Sequence, residues 1–308
     1  MKPLAPLSAI ALAALAPLVS AGAAHANKVR VCQGQEQRYE QIRATATPLE
    51  VNAALFSAAE KGCAALARRL LGDGASLKAR DRLGAMPLSR AAAAGHAEIV
   101  ELFLAKGAPV DARNLDGSTA LFLAAEEDNL AVVKALIAHG ADVNVPGRSG
   151  IPAIAAAAYM GNEPLVRLLL EKGADANAID ATGKTAICYA VGRGFTPVVR
   201  LLIDRGVDVN GHYGNNLTAL MWAAGYSDEA GVADVADAMS LLIESGARLD
   251  DRDNRGRTAL MIAAELGHTA AAELLIGRGA DRSLRDKNGK TAGDLAPNEA
   301  LRAALAAR

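Results

Sequence analysis

The stretch that decides the fold is residues 114–146, NLDGSTALFLAAEEDNLAVVKALIAHGADVNVP, because its wording returns at a fixed interval along the 308-residue chain. Glycines stand 33 residues apart at Gly84, Gly117, Gly150 and Gly183, each in the same surroundings. The phrase that follows the glycine recurs after Gly256 and Gly289. Self-similarity at one period outranks any local motif as an indicator of fold. The chain is therefore an array of tandem units.

Each unit has the pattern of two short helices. Thr119 stands before an Ala- and Leu-rich run and predicts an N-cap whose hydroxyl accepts an otherwise unpaired amide. From Val132 to Ile137 the apolar residues recur at three- and four-residue spacing, which is the helical period. Gly140 then supplies a residue that can take a positive φ at a helix C-terminus. The order within a unit is turn, helix, turn, helix.

This order, period and wording resemble the ankyrin repeat. The resemblance implies an all-α solenoid in which helix-turn-helix units stack side by side, joined by short inter-repeat hairpin turns. The chain departs from the family phrase at its histidine, which is replaced in every unit, for example by Phe122 and Met221. The implied divisions are a signal peptide (1–26), a polar N-terminal segment (27–46), a divergent N-terminal cap repeat (47–80), six repeats (81–113, 114–146, 147–179, 180–212, 213–252 and 253–285) and a C-terminal cap repeat (286–308).

A helix pair of this kind cannot bury its apolar face alone, so stability depends on stacking neighbours. Paired alanines recur at one register, as in Ala91-Ala92 and Ala124-Ala125, and predict close approach between layers. The ends of the stack need separate protection. Thr47-Pro48 with Glu50 predicts a capping box that opens the N-terminal cap.

The first 26 residues have the composition of a secretory signal. An apolar run over 4–19 precedes Ala24-His25-Ala26, which has small residues at the cleavage-site positions, so cleavage is expected after Ala26. Prolines in the apolar run count against an uncleaved anchor, and Arg30 close before Cys32 does not fit a lipoprotein signal. The sequence therefore predicts a periplasmic or secreted protein without a membrane segment after cleavage.

Charge and cysteines narrow the partners and the compartment. The formal net charge is −1, a balance that argues against nucleic acid and acidic lipid as the main partner. Cys188 falls within a predicted helix and is interpreted as a small buried apolar residue rather than a reactive thiol. Cys32 and Cys63 are a candidate disulfide that would tie the polar N-terminal segment to the cap.

Local motifs for catalysis and cofactors find little support. Gly183-Lys184-Thr185 approaches a phosphate-binding loop, but it lies in an inter-repeat turn and recurs at Gly289. Neither a zinc-protease motif nor a nucleophile elbow is present, so no catalytic residue, cofactor or metal is expected. The fifth repeat is longer and acidic over 227–237; this insertion is either a cation cluster or a solvated helix extension, and the spacing favours the extension.

The resemblance also implies where a partner binds. Family contact positions lie beside the repeat glycine and late in the first helix, on the concave face. Carried onto this sequence they are Arg82, Leu83, Leu115, Asp116, Glu126, Glu127, Arg148, Ser149, Tyr159, Met160, Lys184, Arg193, His212, Tyr226, Asn254, Arg255, Arg257 and Glu265. The mixture of both charges with apolar anchors suits a folded protein better than a small molecule.

The leading hypothesis is an exported, non-enzymatic, monomeric module that binds another protein. A sharper version makes it an inhibitor of the immunity type, acting on an envelope enzyme. A second class is a periplasmic stress-protection or scaffold role. An enzyme is the remote alternative, since it would need a convergent group of titratable residues that tiled repeats do not obviously provide.

Overall fold

The computed structural model describes residues 16–225 and 232–306. Over these residues the regular structure consists of seventeen α-helices and two short 3-10 turns, without a β-strand. The helices are α1 Ala16–Ile42, α2 Pro48–Lys61, α3 Ala64–Gly72, α4 Pro87–Ala93, α5 Ala97–Ala105, α6 Ala120–Glu126, α7 Leu130–Ala138, α8 Ala153–Met160, α9 Glu163–Glu171, α10 Ala186–Gly192, α11 Thr196–Asp204, α12 Ala219–Ala224, α13 Val232–Glu244, α14 Ala259–Leu266, α15 Thr269–Gly277, α16 Ala292–Leu295 and α17 Glu299–Ala306.

The helices form one continuous stack. Each repeat contributes a pair, from α4 and α5 in repeat 1 to α14 and α15 in repeat 6. First helices pack against the first helices of the neighbouring repeats, and second helices pack against second helices in the pairs α5–α7, α9–α11, α11–α13 and α13–α15. The predicted all-α ankyrin solenoid is confirmed.

The sequence signals for helix ends act locally as predicted. The Thr119 hydroxyl accepts a hydrogen bond from the Phe122 amide (3.2 Å) at the start of α6, which satisfies one of the unpaired donors of a first turn. Gly140, which follows α7, has φ of 86°, a conformation that costs glycine least. These two features delimit the helix pair of repeat 2.

The core runs along the whole stack and depends on small residues. The predicted alanine pairs of the first helices are completely buried: Ala91, Ala92, Ala124, Ala125, Ala157, Ala158, Ala223, Ala224, Ala263 and Ala264. Their small side chains allow neighbouring helices to lie close together, with Leu and Val from the second helices completing the contact. Larger residues at these positions would overpack the core.

The N-terminal cap is held by contacts that the inner repeats lack. Helix α1 packs against α2 and α3, and a disulfide joins Cys32 to Cys63, whose Cα atoms are 5.2 Å apart. Farther along α1, the buried Tyr39 donates to Asp73 (2.9 Å), and Arg43 binds both oxygens of the same carboxylate. The end of the stack is therefore covered by a polar helix with its own ties.

Helix α1 begins at Ala16 and continues past Ala26, the predicted cleavage position. No helix within residues 16–225 and 232–306 combines the length and apolar character that crossing a bilayer requires. At the other end of the stack, Thr291 and Asp294 form a capping box at α16, and α17 follows.

The insertion in repeat 5 affects its second helix. Helix α13 has 13 residues, against 9 in the second helices α11 and α15. The described part of the insertion thus extends a helix, in line with the interpretation favoured from the sequence. Residues 226–231, including the predicted contact residue Tyr226, lie outside the described part of the chain.

Candidate partner-binding surface

Four of the inter-repeat turns have an aspartate at the same register, namely Asp81, Asp180, Asp253 and Asp286. Asp180 accepts hydrogen bonds at Oδ1 from the amides of Thr182 (2.7 Å) and Lys184 (3.0 Å), while its Oδ2 accepts from the Tyr189 hydroxyl (2.5 Å). Burial raises the pKa of Asp180, but these donors outweigh it and hold the pKa below its usual value. The charged carboxylate therefore fixes the turn.

Backbone hydrogen bonds join successive turns into a row. The Leu115 amide donates to the Leu83 carbonyl (3.0 Å), and the Ala181 amide donates to the Ser149 carbonyl (2.9 Å). The same link joins Gly214 to Gly183, Asn254 to Asn215 and Lys287 to Arg255. The turn tips are thus held in fixed relative positions. Together with the exposed sides of the first helices they form a surface that we call the inner face.

Repeat 3 departs from this arrangement. Gly147 occupies the position of the turn carboxylate, and a Cβ there would lie 2.2 Å from the ring of Phe122. Phe122 is fully buried and stands where the family phrase has its histidine. The turn is instead tied to repeat 2 by the Arg148 amide, which donates to the Ser118 hydroxyl (3.1 Å). Packing against the Phe122 ring thus takes the place of the carboxylate that holds the turn of repeat 4.

A pocket of about 290 Å³ opens on the inner face at repeat 3. Ala156 forms part of its floor and occupies the register that holds Leu123 in repeat 2, Tyr189 in repeat 4 and Trp222 in repeat 5. The pocket exists because this register carries a small residue between larger ones. We call it the repeat-3 pocket. Its apolar lining consists of Ile151, Ala155, Ala156, Tyr159, Met160 and Tyr189.

The rim of the repeat-3 pocket on the side of repeat 2 is negative. Glu126 and Arg148 line it and form an ion pair of 2.5 Å. Burial is the main cause that raises the pKa of Glu126, and the neighbouring carboxylates Glu127 and Asp116 raise it further. The carboxylates in this part of the rim outnumber the guanidinium of Arg148.

Aromatic rings and cations follow on the side of repeat 4. The rings of Tyr159 and Tyr189 meet edge to face, with centroids 6.1 Å apart. The Arg193 guanidinium lies 4.6 Å from the Tyr159 centroid, and the Lys184 ammonium lies 5.0 Å from that of Trp222 and 5.5 Å from that of Tyr189. These contacts hold the ring walls of the pocket in place.

The structure brings some of the predicted contact residues together and separates others. Glu126, Arg148, Tyr159 and Met160 meet at the repeat-3 pocket, and Asp116, Glu127 and Arg193 adjoin it. Arg82, Leu83, Leu115 and Ser149 are exposed at the turns of repeats 1 to 3, and His212, Asn254 and Arg255 are exposed at those of repeats 5 and 6. The remaining described members, Lys184, Arg257 and Glu265, are half-buried.

Several of the predicted residues, Arg257 and His212 among them, are engaged within the chain. Arg257 binds Asp253 (2.8 Å) and Glu265 (2.5 Å), so its guanidinium holds the turn of repeat 6. His212 has its Nε2 3.8 Å from Asp251, at a distance along the stack from the repeat-3 pocket. Both residues therefore belong to the turns in which they lie more than to one shared site.

Sequence reasoning missed four pocket residues: Ile151, Ala155, Ala156 and Tyr189. The signal for two of them was present, because Ala156 and Tyr189 share one 33-residue register with Leu123 and Trp222. Comparing side-chain volume along that register would have located the gap. The depth of the pocket also depends on how closely adjacent repeats pack, which no single register reveals.

The motifs set aside in the sequence have structural roles. Gly183 of the Gly-Lys-Thr phrase accepts a hydrogen bond from the next turn at Gly214, and Lys184 lies over aromatic rings. Cys188 is buried, which raises the pKa of its thiol to about 11. Among the described residues no three His, Cys, Asp or Glu side chains are grouped as metal ligands.

Comparison with protein families agrees with this architecture. The family model for ankyrin repeats (3 copies) matches residues 55–146, 153–233 and 230–298, which together make up more than half of the chain. The first match begins inside α2, so the divergent N-terminal cap is partly included. Ankyrin repeats generally mediate protein–protein interaction, and the family is typically non-enzymatic. The chain belongs to the ankyrin repeat family.

Proposed function

We propose that this chain is an exported, non-enzymatic module that binds a folded protein on its inner face. The observation that carries the proposal is that several apolar side chains along this face are exposed to solvent. Leu83 and Leu115 are 60 % and 80 % exposed at the turn tips, and Tyr159 and Met160 are 41 % and 42 % exposed at the repeat-3 pocket. Apolar anchors among charged residues are typical of protein interfaces.

Rigidity of the inner face supports the same proposal. The turns that present Leu83 and Leu115 are joined by a backbone hydrogen bond, and an Asp81 carboxylate accepts two amides within the first of them. A surface that is already ordered loses little conformational entropy on binding. The face is thus prepared to bind a partner of complementary shape.

The test is affinity capture of the partner, followed by a binding titration with purified components. Changing Leu83 and Leu115 together to Ala is expected to weaken binding at least tenfold, because truncation of a central anchor typically costs more than about 1 kcal/mol. Ile42→Ala on α1 is the matched control, since it removes an exposed apolar side chain away from the inner face. Equal affinities for the double variant and the control would refute the proposal.

Export has two lines of support. Residues 1–26 resemble a signal peptide, and disulfides such as Cys32–Cys63 persist mainly in oxidising compartments. The residues that tie α1 to the cap, from Cys32 to Arg43, all follow Ala26. Removal of the first 26 residues would keep these ties.

N-terminal sequencing of the protein from fractionated cells tests export. The expected result is a chain that begins at Asn27 in the periplasmic or extracellular fraction, with no free thiol at Cys32 or Cys63. Full-length protein in the cytosol with both thiols reduced would contradict the proposed compartment. That result would leave protein binding on the inner face open to its own test.

A further inference from the structure

We propose that the repeat-3 pocket receives a single large apolar side chain of the partner, aromatic or the size of leucine, and that a lysine or arginine lies beside it in the partner chain. This inference rests on the proposed function and adds the chemistry of the partner segment. It concerns one pocket of the inner face, and its test is separate from that of the turn tips.

The size of the pocket limits its occupant. The repeat-3 pocket has a volume of about 290 Å³, at the lower end of the range of about 300 to 1,000 Å³ for sites of drug-sized ligands. Its floor consists of Ala155 and Ala156, which present methyl groups, and its walls include Tyr159 and Met160. A space of this size between apolar walls fits one side chain.

The walls of the pocket are already in place. The Tyr189 hydroxyl is held by Asp180 at 2.5 Å, and its ring meets Tyr159 edge to face. The Arg193 guanidinium lies over Tyr159 in turn. Because these rings are fixed by their neighbours, an entering side chain would not need to order them. A fixed apolar cleft is the form that interface anchors occupy.

The charge on the rim of the pocket indicates which type of partner residue would lie next to the apolar anchor. Glu126 lines the pocket and pairs with Arg148, while Asp116 and Glu127 are exposed nearby. Three carboxylates and the guanidinium of Arg148 thus lie on the side of repeat 2, and Glu126 pairs with that guanidinium. Burial already disfavours the charged form of Glu126. A cation brought by the partner would complement this rim, whereas an acidic neighbour would be repelled.

On the side of repeat 4 the charges have the opposite sign. Lys184 and Arg193 are positive, but each lies over aromatic rings that form the pocket wall or its surroundings. The rim is therefore negative at one end and positive at the other. We accordingly expect the basic residue of the partner segment to lie toward repeat 2, with the apolar anchor between the two ends.

The experiment is a selection of phage-displayed random 12-residue peptides against the immobilised chain with its disulfide intact. We expect enriched peptides to carry Phe, Trp, Tyr or Leu next to Lys or Arg. Synthetic copies should bind the Ala156→Leu variant at least tenfold more weakly. Leucine occurs at the same register in repeat 2 as Leu123, so this variant is expected to fold. Ala105→Leu adds the same side chain at the exposed end of α5, which as a second helix lies away from the inner face, and should bind as the wild type does.

Charge is tested with the same peptides. Changing Glu126 and Glu127 together to Gln should weaken binding threefold to tenfold at low ionic strength and less at high salt, because exposed charges are screened. Glu171→Gln, at the exposed end of α9, is the control and should have no effect. Equal binding of the peptides to the double variant and to the wild type would contradict the proposal that a basic residue lies beside the apolar anchor.

The outcomes separate this inference from the proposed function. No enrichment, enrichment of acidic peptides, or equal binding to Ala156→Leu and Ala105→Leu would overturn the assignment of the pocket. If the captured protein partner requires Leu83 and Leu115 but tolerates Ala156→Leu, the function stands and the pocket assignment is wrong. If the enriched peptides carry an apolar residue next to Lys or Arg but no protein partner requires Leu83 and Leu115, the pocket assignment stands and the proposed function is wrong.

Discussion

Repeats 3 and 4 are neighbours of equal length, but their turns are held by different forces. In repeat 4 the Asp180 carboxylate accepts two backbone amides and the hydroxyl of Tyr189. In repeat 3 the equivalent residue is Gly147, which lies against the buried ring of Phe122. One turn is fixed by a charged acceptor and the other by packing.

The difference extends to the first helix of each repeat. Repeat 4 places Tyr189 where repeat 3 has Ala156, and the missing volume becomes the repeat-3 pocket. Gly147 and Ala156 both fall within repeat 3, although repeat 5 also lacks the turn carboxylate and has Tyr213 at that register. In a repeat array most positions serve stacking, so a candidate binding feature arises where one unit departs from the pattern that its neighbours share.

The largest expected effect comes from Gly147→Ala. The added methyl group would lie 2.2 Å from Phe122, far inside contact distance. Gly147 has φ of −91°, so the backbone itself would accept alanine. We expect overpacking to lower the free energy of unfolding by about 3 kcal/mol. Urea denaturation followed by far-ultraviolet circular dichroism measures the change.

A double-mutant cycle identifies the ring as the cause. In a Phe122→Ala background the same Gly147→Ala change has space, and its cost should fall below about 0.5 kcal/mol. An equal cost in both backgrounds would mean that Phe122 is not what requires glycine. The contrast between a packed turn and a polar turn would then lose its physical basis.

Removing the carboxylate of repeat 4 should have the next largest effect. Asp180→Ala leaves two amides and the hydroxyls of Thr182 and Tyr189 without their acceptor, so we expect a loss of about 2 kcal/mol in urea denaturation at pH 7. Asp180→Asn is the control and should lose about half as much. Asn114 serves at the same register in repeat 2 and accepts the Ser118 amide at 2.7 Å. If the two variants were equally unstable, acceptance by the side-chain oxygen would not explain the turn.

The fold could be predicted from the sequence because its signals are local and repeated. Thr119 at the helix start, glycine at the helix end and alanine pairs at one register recur in almost every unit, so that each confirms the others. In the sequence Gly147 stands, like Asn114 and Tyr213, at a register where Asp81, Asp180, Asp253 and Asp286 have a carboxylate. The reason for the glycine was not visible, because Phe122 is 25 positions away and the contact depends on how helix α6 packs against the turn of the next repeat.

The candidate site was predictable only in part. Tyr159 and Met160 follow from their place late in a first helix, and they do line the pocket. Ala156 was missed because the pocket is formed by a small side chain, and one more alanine does not stand out in a sequence rich in alanine. Conversely, Arg257 has the right position for contact but is engaged by Asp253 and Glu265. Position along a repeat does not reveal whether a charge is already paired.

Acid should affect the two turns differently. The hydrogen bonds at Asp180 lower its folded pKa despite burial. Since an unfolded aspartate titrates near about 3.9, its contribution is complete above that pH and is lost as the pH falls through the lower folded pKa. We therefore expect Asp180→Asn to lose less stability than the wild type between about pH 5 and pH 3. Parallel stability curves for the two proteins would show that this carboxylate does not supply the pH dependence.

The smallest expected effect concerns the cation at the boundary of repeats 4 and 5. Lys184 places its ammonium 5.0 Å from the centroid of Trp222, the single tryptophan of the chain. Lys184→Met keeps a long side chain without the charge, and we expect a loss of about 0.5 to 1 kcal/mol together with a shift in folded-state tryptophan emission. Lys134→Met, at an exposed position of α7, is the control and should change neither quantity. Repeat 3 has Ile151 at the register of Lys184. If Lys184→Met changed neither the stability nor the emission spectrum, the cation would contribute nothing to this boundary. The contrast between repeats 3 and 4 would then rest on their turns and on the volume of the first helix.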